Sequence, residues 1–163
     1  MRRLSIAAAV TLVVDLVTKV IVVDRMPLYG PPVEVIVSFL QLIHVQNHGS
    51  AFSLFEGGRF FFIGFSLVSI ILILLLARNP RYRKSYFALS LGLILGGALG
   101  NLADRIVYGA VTDWIDVGIG ATRWPTFNVA DIGVTVGVLV LALLLLRSPS
   151  DAGAQSGELT EDS

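Results

Sequence analysis

Four long apolar runs limit what this chain can become more than any other feature of it. A helix that crosses a bilayer needs roughly 20 mostly apolar residues. The runs lie at about 4–23, 60–77, 86–103 and 127–146 of the 163 residues. An ordinary soluble domain is about 45–50% apolar and about 25% charged. Here 55% of residues are hydrophobic and 15% are charged, with a mean hydropathy of +0.79. A soluble core of this size cannot hide so much apolar surface, so lipid must solvate much of it. The fold class that follows is an all-α membrane protein: four transmembrane helices with a small extramembrane β element in the first outer loop. Four spans read as one integral membrane domain over residues 1–147.

Charge distribution orients the bundle. Arg2 and Arg3 precede the first run, Arg78, Arg81, Arg83 and Lys84 fill the loop between the second and third, and Arg147 follows the fourth. Cytoplasmic loops collect Lys and Arg, which places both termini in the cytoplasm and the loops 24–59 and 104–126 outside. Ala7, Ala8 and Ala9 after the two arginines imitate a secretory signal. The apolar run continues past them to Val23, so an uncleaved span is the reading. Residues 148–163, rich in Ser, Gly, Ala and acid, read as a disordered cytoplasmic tail. In the first outer loop, Val33 to Val37 alternates weakly after Gly30-Pro31-Pro32, and Phe39 to Val45 reads as a second strand of a surface hairpin. Formal net charge is zero, which gives no electrostatic case for nucleic acid as a partner. No cysteine is present, which excludes disulfides, thiol catalysis and cysteine-ligated metals.

The polar residues inside this apolar frame need reasons. Asp131 lies about one turn inside the fourth run, where an ionisable group is costly and by default functional or paired. Asn128 stands three residues earlier on the same helical face, as a helix cap or as a partner. Asp113 and Asp116 flank Trp114 and Ile115 in the loop before that run. Alone they read as solvated acids, but the topology brings both to the surface where Asp131 lies. Two carboxylates held close do not both ionise easily. One keeps a proton while the other acts as base on a water, which is acid–base hydrolysis. Residues alone leave Asp113 and Asp116 level as the partner of Asp131.

Gly92, Gly96 and Gly100 repeat every fourth residue and form a close-packing face. Asn101, Asp104 and Arg105 follow it, with Arg105 open to pairing with Asp104, holding a loop, or meeting lipid phosphate. Asp15 and Lys19, four apart in the first run, read as an intrahelical ion pair with further hydrogen bonds to the outer loop; a proton path is the sharper alternative. Asn47 stabilises a turn or binds substrate backbone. His44 and His48 lack a third partner for a metal site; no metal and no cofactor are expected.

Together these segments resemble the bacterial lipoprotein signal peptidases, or signal peptidase II. Asp15-Leu16-Val17-Thr18-Lys19, Asn47-His48-Gly49-Ser50-Ala51-Phe52, Gly100-Asn101-Leu102-Ala103-Asp104-Arg105, Val111-Thr112-Asp113-Trp114-Ile115-Asp116 and Phe127-Asn128-Val129-Ala130-Asp131 carry the resemblance. Each motif is weak alone; their order and placement on four spans make the joint match specific. Trp114 stands where the family often has Phe. The resemblance implies Asp113 and Asp131 as the catalytic dyad, with Asp116 outside it. It implies Asn47, Gly49, Asn101, Arg105, Asn128 and Ala130 as residues of the substrate pocket, and Asp15, Lys19 and Asp104 as supporting residues. The implied partners are diacylglyceryl-modified prolipoproteins and membrane lipid, and the implied state is a monomer in the bacterial inner membrane. Two rivals stay open. A proton-coupled transporter would place its acids near the midplane and show internal repeats. A membrane scaffold would have no need for two acids at one rim.

Overall fold

The computed structural model describes residues 1–49 and 58–147. Residues 50–52 of the outer-loop motif and the tail 148–163 lie outside the described residues. Four helices, α1 (Arg2–Arg25), α2 (Gly58–Arg78), α3 (Ser85–Val107) and α4 (Val129–Arg147), are each long and apolar enough to cross a membrane. Their ends follow from local chemistry. α1 stops where Met26 turns extended ahead of Pro27, because a residue before proline avoids the helical region. α2 stops before Asn79, which is also extended ahead of a proline and accepts a hydrogen bond from the Arg81 N–H. A 3-10 turn at Pro80–Arg83 leads into α3.

Packing inverts the pattern of a soluble bundle. The buried residues of α1 are Leu4, Ala8, Thr11, Asp15, Lys19 and Val22, spaced to lie on one stripe. The polar pair is therefore on the packed side, while Val10, Val13, Val17 and Val20 face outward. α3 is the central helix and packs against α1, α2 and α4. A Cβ on Gly92 or Gly96 would meet the carbonyl oxygens of Leu4 or Ala8 on α1, and one on Gly97 would meet that of Ala130 on α4. From the other side, Gly133 and Gly137 of α4 lie against the carbonyls of Leu93 and Ser90. Helices without side chains between them approach backbone to backbone. At the far end of the bundle from Asp131, ordinary side chains do the packing, with Leu4, Ile73, Ala77, Leu91, Ile94 and Leu95 in one cluster.

Among the described residues, two segments outside the helices form a four-stranded antiparallel sheet in the order β1 (Val33–Ile36), β2 (Leu40–Asn47), β3 (Val111–Ile119), β4 (Thr122–Arg123). This corrects the expectation of a β element confined to the first outer loop. Half of the sheet comes from 104–126, which the sequence reads as a loop, and "all-α" therefore omits a whole layer. Two aspartates and Gly118 interrupt the apolar alternation of β3, yet both acids are buried in the fold. β1 ends at Ile36, short of Val37, because Ser38 adopts a left-handed φ of 60°. β2 runs on to Asn47, which pairs in register with Val111. α4 begins at Val129, after the expected start at 127, because Phe127 is held as a β-bridge to Ile115.

Candidate active site

β3 brings Asp113, and α4 brings Asp131, to one cluster of side-chain amides. Asn128 joins them. Its Nδ2 donates to Asp113 Oδ1 (2.7 Å), while its backbone N–H donates to Asp131 Oδ2 (3.2 Å). The Asp131 N–H in turn donates to Asn128 Oδ1 (3.0 Å). This reciprocal pair is a capping box at the start of α4, with Asn128 as cap and Asp131 as the acid three residues on. The capping reading of Asn128 therefore holds, and Asp131 caps with one oxygen only. Its other oxygen, Oδ1, accepts from Asn101 Nδ2 (2.8 Å). The second oxygen of Asp113 accepts from Asn47 Nδ2 (3.0 Å). Each carboxylate is thus held by two N–H donors that carry no charge.

The two acids differ in burial. Asp113 is 2% exposed, whereas Asp131 is half-buried and borders an apolar cleft of about 360 Å³ lined also by Trp124, Phe127, Ile132, Thr135 and Val136. Burial pushes the Asp113 carboxyl up from its ordinary 3.8 to about 6, and the nearby charge of Asp131 adds to the rise. The amides of Asn47 and Asn128 and the charge of Lys19 hold the rise back. Asp116 has a different setting. Its carboxylate is in an ion pair with Arg123 (3.0 Å), and Arg123 also reaches the carbonyl of Phe39 (3.3 Å). Through Arg123 this acid ties β4 to β3 and to the β1–β2 turn.

Beside Asn101, Ala130 and Thr112 lies a buried ion cluster. Lys19 Nζ is 2.8 Å from Asp15 Oδ2 and 3.2 Å from Asp104 Oδ2, and it donates to Asn101 Oδ1 (3.1 Å). The expected Asp15–Lys19 pair is present. Its further partners are on α3 and α4, not on the outer loop, because both residues sit on the packed stripe of α1. Asp104 pairs with Lys19 and not with Arg105. The Arg105 guanidinium lies 5.3 Å from the ring centre of Phe62, a cation–π contact, and donates to the Asn101 carbonyl.

Asn47 does two jobs: its Oδ1 accepts from the Gly49 N–H (2.8 Å) while its amide reaches Asp113. Gly49 has a φ of +81°, and a Cβ there would run into the ring of Phe62. Ala130 is fully buried between α3 and α4, with its N–H bound by Asp15 Oδ1 (2.9 Å). It lines the helix contact, not an open face. The His44 ring nitrogen Nδ1 is bonded to the Met26 carbonyl (2.9 Å), and His48 lies beyond the end of β2.

A family model described as signal peptidase (SPase) II matches residues 7–147 of this chain. The chain belongs to the signal peptidase II family. The lipoprotein signal peptidase of Symbiobacterium thermophilum is 42% identical over 141 residues, 86% of this chain and 92% of that one. That of Geobacter metallireducens is 40% identical over 149 residues, covering 90% and 91%. A solved bacterial membrane enzyme superposes with a TM-score of 0.81 at 31% identity, covering 88% of this chain and 92% of that one. A second gives 0.78 at 30%, covering 94% and 91%.

Within this signal peptidase II fold, two contributors escaped sequence reasoning. Thr112 acts through its backbone: its N–H donates to Asp104 Oδ2 (2.8 Å) and its carbonyl accepts from Asn128. No side-chain signal reports such a role. Phe62 is one of many aromatics on α2, and only the packing of α2 on α3 singles it out. The arrangement joins two carboxyls of unequal burial through Asn128, with an apolar cleft beside Asp131.

Proposed function

We propose that the chain is a membrane aspartic endopeptidase that removes signal peptides from lipid-modified prolipoproteins, cutting on the amino side of the diacylglyceryl-cysteine. The observation that carries this reading is the joining of Asp113 and Asp131 through one asparagine, with Asp113 buried and its carboxyl raised to about 6. The names of the relatives support the substrate, and the aromatic and aliphatic lining of the cleft at Asp131 suits a substrate anchored in lipid.

In the proposed reaction one water lies between the carboxyls. The ionised acid takes a proton from it as its oxygen bonds to the scissile carbonyl carbon. The protonated acid hydrogen-bonds the carbonyl oxygen, which takes up the charge. The intermediate collapses, the C–N bond breaks, and the leaving amine takes a proton from the dyad. Water is thereby divided between the new carboxyl and the cysteine nitrogen, and the chemistry requires neither metal nor cofactor. Both termini lie in the cytoplasm and the dyad at the outer face, on the weight of the basic residues flanking the spans. Residues 1–147 act as one membrane domain and as a monomer, with no nucleic-acid partner.

The test is incubation of purified protein with lipidated and unlipidated precursor peptides. Only the lipidated peptide is cut, and Asp113→Asn and Asp131→Asn each abolish cleavage while the protein still inserts. Wild-type-like cleavage by either variant sinks the dyad. Activity survives chelators; loss with EDTA that zinc restores points instead to a metal enzyme.

A further inference from the structure

The buried ion cluster grips the backbone next to each aspartate. Asp15 Oδ1 accepts from the N–H of Ala130, the residue before Asp131 (2.9 Å). Asp104 Oδ2 accepts from the N–H of Thr112, the residue before Asp113 (2.8 Å). Lys19 Nζ holds these two acids together, at 2.8 and 3.2 Å, and its third contact is to Asn101 Oδ1. Asn101 then has only its Nδ2 to offer Asp131, and donates it at 2.8 Å.

We propose that Lys19 is a positioning residue that sets the separation of Asp113 and Asp131. The proposal rests on the dyad reading above. An ammonium has three donors and no acceptor, and the three acceptors around Lys19 saturate it. Its side chain is 4% exposed, against 0% for Asp15 and 5% for Asp104. In that setting the ammonium is the link between the two acids; without it, whether they stay charged and repel or are neutralised, the anchors of α4 and β3 are no longer held to each other. The two ion pairs and the backbone hydrogen bonds of Asp15 and Asp104 link α1 to α4 and β3 through this one ammonium. Lys19 is thus the pin of a brace with one arm on each catalytic strand or helix. The Asn101 contact adds orientation: Oδ1 accepts from Lys19 Nζ (3.1 Å) and from Asn128 Nδ2 (3.2 Å), which together turn the amide nitrogen toward Asp131. Charged groups around the dyad are Asp15 and Lys19 from α1, Asp104 and Arg105 from α3, and the dyad members on β3 and α4. Arg105 interacts electrostatically with both dyad acids, so a cation remains when Lys19 is removed.

The separation of two carboxyls governs how strongly their titrations couple, and a bell-shaped pH–rate profile reports that coupling. The test is the triple variant D15N/K19M/D104N in the full-length protein, assayed on lipidated peptide. Each asparagine keeps an oxygen for its backbone N–H, and methionine keeps the lysine's length without its donors. Exchanging a buried ion cluster for neutral groups is often neutral for stability, so the melting temperature stays close to wild type. The expected result is a kcat lower by about tenfold to a hundredfold, as small misplacements of reacting groups produce. KM is unchanged within about twofold, since binding is untouched, and the pH–kcat bell narrows. Should the triple variant not fold, D15N alone carries the test: it leaves Lys19 and Asp104 as a balanced pair, so no buried charge loses its counter-ion, while it loosens the arm to Ala130, and a lower kcat with a narrowed bell is again the expected result. A variant with wild-type kcat and bell overturns the proposal. So does a kcat loss that tracks the folded fraction with an unchanged bell. Asp113→Asn and Asp131→Asn run alongside: cleavage by either overturns the dyad itself, whereas a wild-type-like triple variant overturns the brace alone.

Discussion

Replacing Asp113 by asparagine should stabilise the folded protein at neutral pH while it abolishes cleavage. The carboxyl rises from 3.8 to about 6 on folding because it is buried. The folded state therefore binds this proton more tightly than the unfolded chain does. The stability this one carboxyl contributes is fully present below 3.8, falls as pH rises through that window, and is lost once pH passes about 6. A shift of this size corresponds to about 3 kcal/mol. Asparagine stands in for the protonated acid and carries no such dependence. Its amide nitrogen cannot accept from Asn47 or Asn128 as an oxygen can, which costs about 1 kcal/mol for the lost hydrogen bond. The net gain is about 2 kcal/mol near pH 7, with no gain near pH 4. Denaturant unfolding of both proteins in the same detergent, followed across that range, measures the difference directly. A variant less stable than wild type at neutral pH, or a difference that does not change with pH, refutes the argument that burial strains this carboxylate.

Three further outcomes follow from the contacts. Asp116→Asn keeps most of the cleavage activity and loses about 1.5–3 kcal/mol of stability, the range for a charged hydrogen bond in a largely buried pair; activity and melting measured on one preparation check both. Gly100→Ala puts a methyl group against the Asp15 carboxylate, an overpacking that costs about 1–3 kcal/mol, seen as a lower melting temperature with parallel loss of active protein. Asn128→Ala removes the α4 cap and the amide shared by the dyad, costing about 2–4 kcal/mol. Because that amide holds the Asp113 carboxyl down, its loss moves the pH–kcat profile of the remaining activity to higher pH.

Some of this site is legible in one dimension. Asp131 announces itself as the one acid in an apolar run, and Asp15 and Lys19 as a pair one turn apart. Asp113 does not separate from Asp116 in the same way. The two differ by partners that exist only after β3 has paired: Asn47 arrives from β2, and Arg123 from beyond the turn at Gly120, whose left-handed φ of 57° folds β4 back. Reading 104–126 as a loop hid that hairpin, and with it the reason Asp116 has an arginine as partner while Asp113 has two amides. The bond from Asn101 to Asp131 is hidden for another reason. It depends on how closely α3 meets α4, which Gly97 and Ala130 set and which no spacing rule within either helix encodes. The placement of Lys19 between Asp15 and Asp104 depends likewise on the contact of α1 with α3.

The closest contacts of α3 with α1 and α4 are made by glycine and bare peptide, and this reverses how mutations map the fold. In a soluble protein, trimming large side chains finds the core, because each cut leaves a cavity. Here the large side chains of α4, such as Leu139, Leu143 and Leu146, point outward. Cutting them back changes what lipid touches and removes little from inside. The sensitive positions already have nothing left to remove. A scan that adds a single carbon at Gly96, Gly97, Gly133 and Gly137 would trace the interior that deletion scanning passes over. Tolerance to shrinking, joined to intolerance of growth, is the mutational signature this bundle should leave.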